Sequence, residues 1–213
     1  MSPLAQPIDA PAPLGHGQVG LRAIRTSDAR ALQRLLTENR GWLEPWEATY
    51  PGGGGTVPGS TSMRPVIRAL QRQLRAGSGV SFVITYADEI VGQLTLSDIS
   101  GGALRSASIG YWVAERFAGK GITPTAVALA VDYAMSVLRL HRIEICIRPE
   151  NAASLRVVEK LGMRAEGRRL GYIHIAGEWR DHDCFAVTRE DIPEGMLSRL
   201  GAAPPSGGAR TVQ

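Results

Sequence analysis

The order in which hydrophobic periodicity changes along the chain restricts its fold more than any other feature. Ser81–Tyr86 and Ile90–Leu96 alternate apolar and polar residues around Ala87-Asp88-Glu89, the pattern of a hairpin, and Ser106–Val113 adds a third strand. The period then changes. Thr125–Leu138 reads as an Ala/Val/Leu helix, Arg142–Arg148 as a strand and Ala153–Leu161 as a short helix. Leu170–Ile175 and Trp179–Val187 close the pattern as a second hairpin across Ala176-Gly177. Upstream, a strand at Val19–Arg25 leads into a helix capped by Thr26, Ser27 or Asp28, with Leu32, Leu35 and Leu36 on its apolar face. A further helix covers Met63–Ala76. An antiparallel meander, then strand–helix–strand–helix, then a hairpin, predicts an α+β protein with a sheet of mixed sense.

With 213 residues, 44% hydrophobic and 21% charged, the chain can bury a full core and is not disordered. The Pro- and Ala-rich start predicts an unstructured segment over 1–18, a single domain over 19–190 and a flexible tail over 191–213. Pro51–Ser60 (PGGGGTVPGS) reads as a mobile surface loop, either a tolerated insertion or a lid. No apolar run approaches the roughly 18 residues of a membrane span, so no membrane association is expected. Met1–Gly20 has no Lys or Arg and no apolar block; no secretory signal is read there, and a cytoplasmic location is expected. The net charge of +4 is too weak to imply direct nucleic-acid binding but suits an anionic ligand. Cys146 and Cys184 lie far apart and read as buried thiols, while His174 and His182 have no partner at ligand spacing, so no metal is expected.

The densest motif runs from Ile109 to Thr125, IGYWVAERFAGKGITPT. A strand ends near Val113, a glycine-rich turn follows, and a helix begins near Thr123 with Pro124 suited to its start. In Arg116-Phe117-Ala118-Gly119-Lys120-Gly121, continuing into Ile122 and Thr123, the glycines allow a tight turn whose amides converge beside a helix N-terminus. Such an arrangement cradles phosphate oxygens. This turn fits neither GxxxxGK[ST] nor GxGxxG.

The Arg-x-x-Gly-x-Gly turn after Ile-Gly-Tyr-Trp-Val, followed by Pro149-Glu150-Asn151-Ala152-Ala153-Ser154 and Glu159-Lys160-Leu161-Gly162-Met163, resembles the GCN5-related N-acetyltransferase (GNAT) superfamily. Asn39-Arg40-x-Trp42-Leu43-x-Pro45-Trp46-Glu47 and Gly177-Glu178-Trp179-Arg180-Asp181-His182 are similar to its RimJ/RimL branch, whose members acetylate ribosomal-protein N-termini. The resemblance spans roughly Gly20–Arg189. It implies a central, mostly antiparallel mixed sheet of about six to seven strands, with splayed fourth and fifth strands and about four flanking helices.

It also implies acetyl-CoA as co-substrate. The Arg116–Thr123 turn would hold the pyrophosphate, with Lys120 as an electrostatic helper. The backbone of Tyr111, Trp112 and Val113 would pair with the pantetheine arm, Asn151 would contact that arm, and Ser154 would lie near the thiol. Read alone, Asn151 is equally a helix N-cap and Ser154 an incidental small residue. Many members of the superfamily carry a tyrosine four residues beyond this serine as the acid for the leaving thiolate; here that position is Val158. Ser154 is therefore the candidate acid and Tyr172 the second choice. A base is not identified: Glu44, Glu47, Asp98, Glu115 and Glu178 are candidates, and each also reads as a solvated charge. Trp42, Trp46 and Tyr50 with Glu44 and Glu47 either fold onto the core or wall an acceptor site for a cationic amine. The expected acceptor is a protein N-terminus beginning with Ala, such as that of ribosomal protein S5. A small-molecule amine is the second reading, and a non-catalytic CoA-binding module docking on a ribosomal or other partner is the third.

Overall fold

In the computed structural model, which describes residues 7–53 and 55–200, eight strands form one sheet. They are β1 (Leu14–His16), β2 (Val19–Ala23), β3 (Val80–Tyr86), β4 (Glu89–Ser100), β5 (Ser106–Val113), β6 (Arg142–Ile147), β7 (Arg164–Ile175) and β8 (Glu178–Thr188). Their spatial order is β1-β2-β3-β4-β5-β6-β8-β7, with β5 and β6 parallel and every other pair antiparallel. The helices are α1 (Ala29–Glu38), the single turn α2 (Arg40–Leu43), α3 (Arg64–Arg75), α4 (Ile122–Ser136) and α5 (Ala152–Lys160).

Alternation along β3 sorts these helices onto two faces. Val83 packs with Ile24, Leu32, Leu36 and Ile67 under α1 and α3, whereas Phe82 and Ile84 point the other way into the core beneath α4. The α4 helix is apolar on nearly all sides, and the edge of Tyr133 meets the Phe82 ring at 5.6 Å.

Both ends are more ordered than the proline and glycine content predicts. Ile8 is buried and its amide bonds to the Leu74 carbonyl at 3.3 Å, while β1 pairs with β2 and supplies a strand beyond the expected six or seven. At the other end, Met196 is fully buried, and the amides of Met196 and Leu197 donate to the Asp132 carboxylate at 2.5 and 3.1 Å. One apolar anchor at each end offsets the entropy of fixing a few residues. The expectation of unstructured chain is thereby corrected for 7–18 and 191–200; its remaining parts, 1–6 and 201–213, lie outside the described residues.

The feature that positions the site is a seam in the sheet. β5 and β6 are in register only at Ser106/Arg142, Ala107/Ile143 and Ser108/Glu144. Beyond these pairs β5 stays with β4, reaching Val113 opposite Gly92, and β6 stays with β8, reaching Ile147 opposite Asp183. The two strands therefore diverge and leave a wedge with unpaired backbone on both sides. β4 hugs the far side of β5 so closely that a Cβ at Gly92 would lie 2.2 Å from the Trp112 carbonyl oxygen. Glycine is required there for the approach.

Candidate active site

The wedge opens into a cleft of about 530 Å³ whose walls come from β5, the following turn, α4, α5 and the segment around α2. Five turns of chain meet there for local reasons. After Val113 the amides of Phe117 and Ala118 bond inward to the carbonyls of Ala114 and Glu115. Gly119 and Gly121 then both take φ of +76°, a left-handed conformation that side chains other than glycine seldom accept. No heavy atom lies within 4 Å of where their Cβ atoms would be, so this wall is bare backbone open to a ligand. Gly121 is the N-cap of α4, and the amides of Ile122 and Thr123 have no partner within the helix; Pro124 has none to place. Ala118, Gly119, Gly121, Ile122 and Thr123 all line the cleft, as a phosphate cradle requires.

On the opposite wall Asn151 caps α5, its Oδ1 accepting from the Ser154 amide at 3.1 Å. The cap fixes the first turn of the helix, and both residues face the cleft. Val158, one turn further on, is fully buried in the core. Tyr111 reaches in from β5. Its hydroxyl is enclosed and makes no hydrogen bond among the described residues. Burial pushes the Tyr111 phenol up to about 12, against the opposing pull of Ser154, so it stays protonated.

The segment around α2 forms the third wall, and the residues that resemble the RimJ branch bond largely to one another and to the cleft. Asn39 Oδ1 accepts from the Glu115 amide at 2.8 Å, tying α2 to the glycine turn. The Trp42 indole donates to the Val113 carbonyl at 3.2 Å. Arg148 donates to the Pro45 carbonyl at 2.7 Å and sits 5.5 Å from the centre of the Trp46 ring. Thr49 bonds His174, and Ala48 bridges to Ile175, which joins this segment to the β7–β8 hairpin.

Trp42, Trp46, Tyr111, Trp112, Val113 and Phe117 line the cleft together with the turn, Asn151 and Ser154. Other residues singled out from the sequence point elsewhere. Arg116 pairs with Glu89, and its guanidinium and the Lys120 ammonium lie 4.7 and 5.3 Å from the Phe117 ring centre. Glu47 pairs with Arg40, and Glu44 is exposed. The Tyr172 hydroxyl accepts from Arg169 at 2.9 Å and does not line the cleft. None of Glu44, Glu47, Asp98, Glu115 and Glu178 lines it either; Glu150 is the carboxylate that does, bonded to Arg148 at 3.1 Å. Its own amide and Arg148 hold its carboxyl below the ordinary range, so it is ionised rather than strongly basic.

Sequence reasoning missed three contributors. Arg148, Asn39 and the Tyr111 side chain act through contacts between residues far apart in the chain, for which spacing gives no signal. The cysteines are also closer than their separation implies. Cys146 and Cys184 are direct partners on β6 and β8, and their sulfurs lie within 4.8 Å of each other and of a Glu144 oxygen. Arg142 and Arg169 hold Glu144, and burial pushes the Cys146 thiol up, with Cys184 and Glu144 adding to the shift. A protonated thiol beside two guanidinium groups is a poor cation ligand.

Comparison with known proteins identifies the family. Residues 18–164 match the family model described as an acetyltransferase (GNAT) domain. The chain is 36% identical over 173 residues to a probable N-acetyltransferase, YjcK, of Bacillus subtilis, covering 80% of this chain and 94% of that protein. It is 29% identical over 177 residues to the ribosomal protein uS5-alanine N-acetyltransferase of Escherichia coli, covering 82% and 90%. Among solved structures, Mycobacterium smegmatis RimJ in complex with CoA-disulfide superposes with a TM-score of 0.84 at 39% identity, covering 94% of this chain and 96% of that one. The chain belongs to the GNAT family and is an acetyl-CoA-dependent N-acetyltransferase.

Proposed function

We propose that the acceptor is the α-amino group of a protein N-terminus, Ala-starting and ribosomal as in the uS5-specific relative, and that it attacks acetyl-CoA directly. The observation that carries this reading is the Trp42–Trp46 wall on the cleft that also holds the glycine turn and Ser154. Two indoles on the cleft, one with the Arg148 guanidinium 5.5 Å from its ring centre, suit a small first side chain and the peptide plane behind it. Similarity to the uS5-alanine enzyme over 82% of the chain supports the same acceptor class.

Acetyl-CoA supplies the acyl group as a thioester. The neutral amine forms a bond to the acetyl carbon as the carbon–sulfur bond breaks, and the amine proton leaves through water at the Glu150 side of the cleft. The Gly119–Thr123 amides hold the phosphates, unpaired β5 backbone holds the donor's arm, and the Ser154 hydroxyl gives its hydrogen to the departing sulfur. Arg116 and Lys120 act on the phosphates only at long range, because their side chains lie over Phe117.

A small-amine reading draws on the 26% identity to the Vibrio cholerae spermidine N(1)-acetyltransferase over 168 residues. Thiol release from acetyl-CoA, measured with peptides starting in Ala, Ser, Thr or Met and with spermidine, separates the two. We expect the Ala peptide to give the highest kcat/KM; preference for spermidine would overturn the reading. Ser154→Ala should lower kcat on that peptide by about 10²-fold with acetyl-CoA affinity nearly intact.

A further inference from the structure

We propose that Tyr111 is a positioning residue for Ser154: its phenol donates a hydrogen bond to the Ser154 oxygen and so aims the serine's own hydrogen at the departing sulfur. The inference rests on the reading above that Ser154 faces that sulfur.

Three observations point to the pair. First, the Tyr111 hydroxyl is enclosed and has no hydrogen-bond partner among the described residues, which is rare for a buried polar group and leaves its hydrogen available. Second, the Ser154 side chain is the neighbour that draws the phenol's pKa down against burial, and both residues line the same cleft, one from β5 and one from the first turn of α5. Third, Ser154 is pinned only through its backbone. Its amide is held by Asn151, whereas its hydroxyl is a rotor with no fixed direction.

The chemistry selects the direction of the bond. A phenol kept protonated by burial offers a hydrogen and seldom loses it, so it serves as donor to the serine oxygen rather than as proton source. With one lone pair of Ser154 occupied, its hydrogen is left to point into the cleft. Hydrogen bonds of this kind are often open in the unliganded enzyme and tighten when the reacting group arrives. The position where many relatives carry a tyrosine is Val158, which is fully buried and cannot donate. The phenol supplied from the strand thus offsets the one missing from the helix, acting through the serine. No net proton moves from Tyr111: the sulfur takes the Ser154 hydrogen, and Ser154 recovers one from solvent.

A double-mutant cycle tests the pairing. Tyr111→Phe, Ser154→Ala and the double variant are compared by kcat at saturating substrates and by calorimetric affinity for acetyl-CoA. We expect Tyr111→Phe to lower kcat about tenfold with affinity within about twofold, and to have no further effect once Ser154 is alanine. Equal losses in both backgrounds would overturn the inference, since a phenol that merely supports the fold matters whether or not the serine is present. Unchanged kcat in Ser154→Ala would remove the underlying reading and the inference with it.

A second readout is independent of the acceptor: the pKa of the CoA thiol bound to the enzyme, followed by thiolate absorbance. Tyr111→Phe should raise it, and only when Ser154 is present. If Tyr111→Phe fails to fold, 4-aminophenylalanine at position 111 keeps the ring and a donor and should leave the thiol titration as in the parent. A raised thiol pKa in that variant would count against the proposal.

Discussion

The Trp42 indole donates to the Val113 carbonyl across 3.2 Å, so the aromatic segment and the open end of β5 are fastened by one hydrogen bond. Trp42→Phe keeps an apolar body but leaves that carbonyl without its donor. We expect a stability loss of about 1 kcal/mol, read by urea unfolding. If both substrates meet beside this bond, as proposed, acetyl-CoA affinity and peptide KM should each weaken by about two- to fivefold. A change in only one of them would show that the fastening is local.

Trp46 presents the contrasting case. It lines the cleft against Arg148 and touches no part of the glycine turn's hydrogen bonding. Trp46→Ala should lower kcat/KM for an Ala-starting peptide by about tenfold or more, from lost apolar contact of roughly 1.5–3 kcal/mol. Acetyl-CoA affinity should stay within about twofold. Circular dichroism distinguishes loss of the wall from loss of the fold.

At Gly121 the proposed phosphate cradle depends on backbone rather than on a side chain. Gly121→Val meets no neighbour but is strained at φ +76° and fills the bare wall. Its acetyl-CoA dissociation constant should rise at least about tenfold in calorimetry. Lys120→Ala should do less, since Lys120 lies over Phe117. Equal affinity of Gly121→Val and the parent would remove the phosphate cradle.

Much of this was legible in the sequence because it depends on local signals. Period-two alternation located β3 to β6, and the Gly-x-Gly turn and Asn-x-x-Ser helix were visible as spacings. The strand β7 begins at Arg164 rather than Leu170 because its first residues are exposed on both faces of an edge and show no alternation. Neighbourhood in the chain is all that links the carboxylates Glu44 and Glu47 to an acceptor wall. Side-chain direction is decided in three dimensions, where Arg40 claims Glu47 and solvent claims Glu44. Tyr111 was read for its backbone alone, since nothing in one sequence tells a strand tyrosine with a partner from one without.

His182 gives the fold a pH dependence of definite sign. It is buried on β8, its Nδ1 beside the Arg180 carbonyl at 3.1 Å, and burial pushes its imidazole below the ordinary value despite that carbonyl. The folded state thus binds the proton less readily than the unfolded chain. The contribution to stability is complete above the unfolded value near 6.5 and is lost as pH falls through the lower folded value. Melting temperature should therefore decline from pH 7.5 toward 5, and His182→Gln should flatten that slope. An identical slope in both proteins would assign the decline to other groups.

Only three register pairs join the two halves of the sheet at the β5–β6 seam. A ligand lodged in that seam binds the folded chain and not the unfolded one, so it adds about 2.7 kcal/mol to stability at one hundred times its dissociation constant. The acyl donor is then part of what keeps the enzyme intact as well as what it consumes.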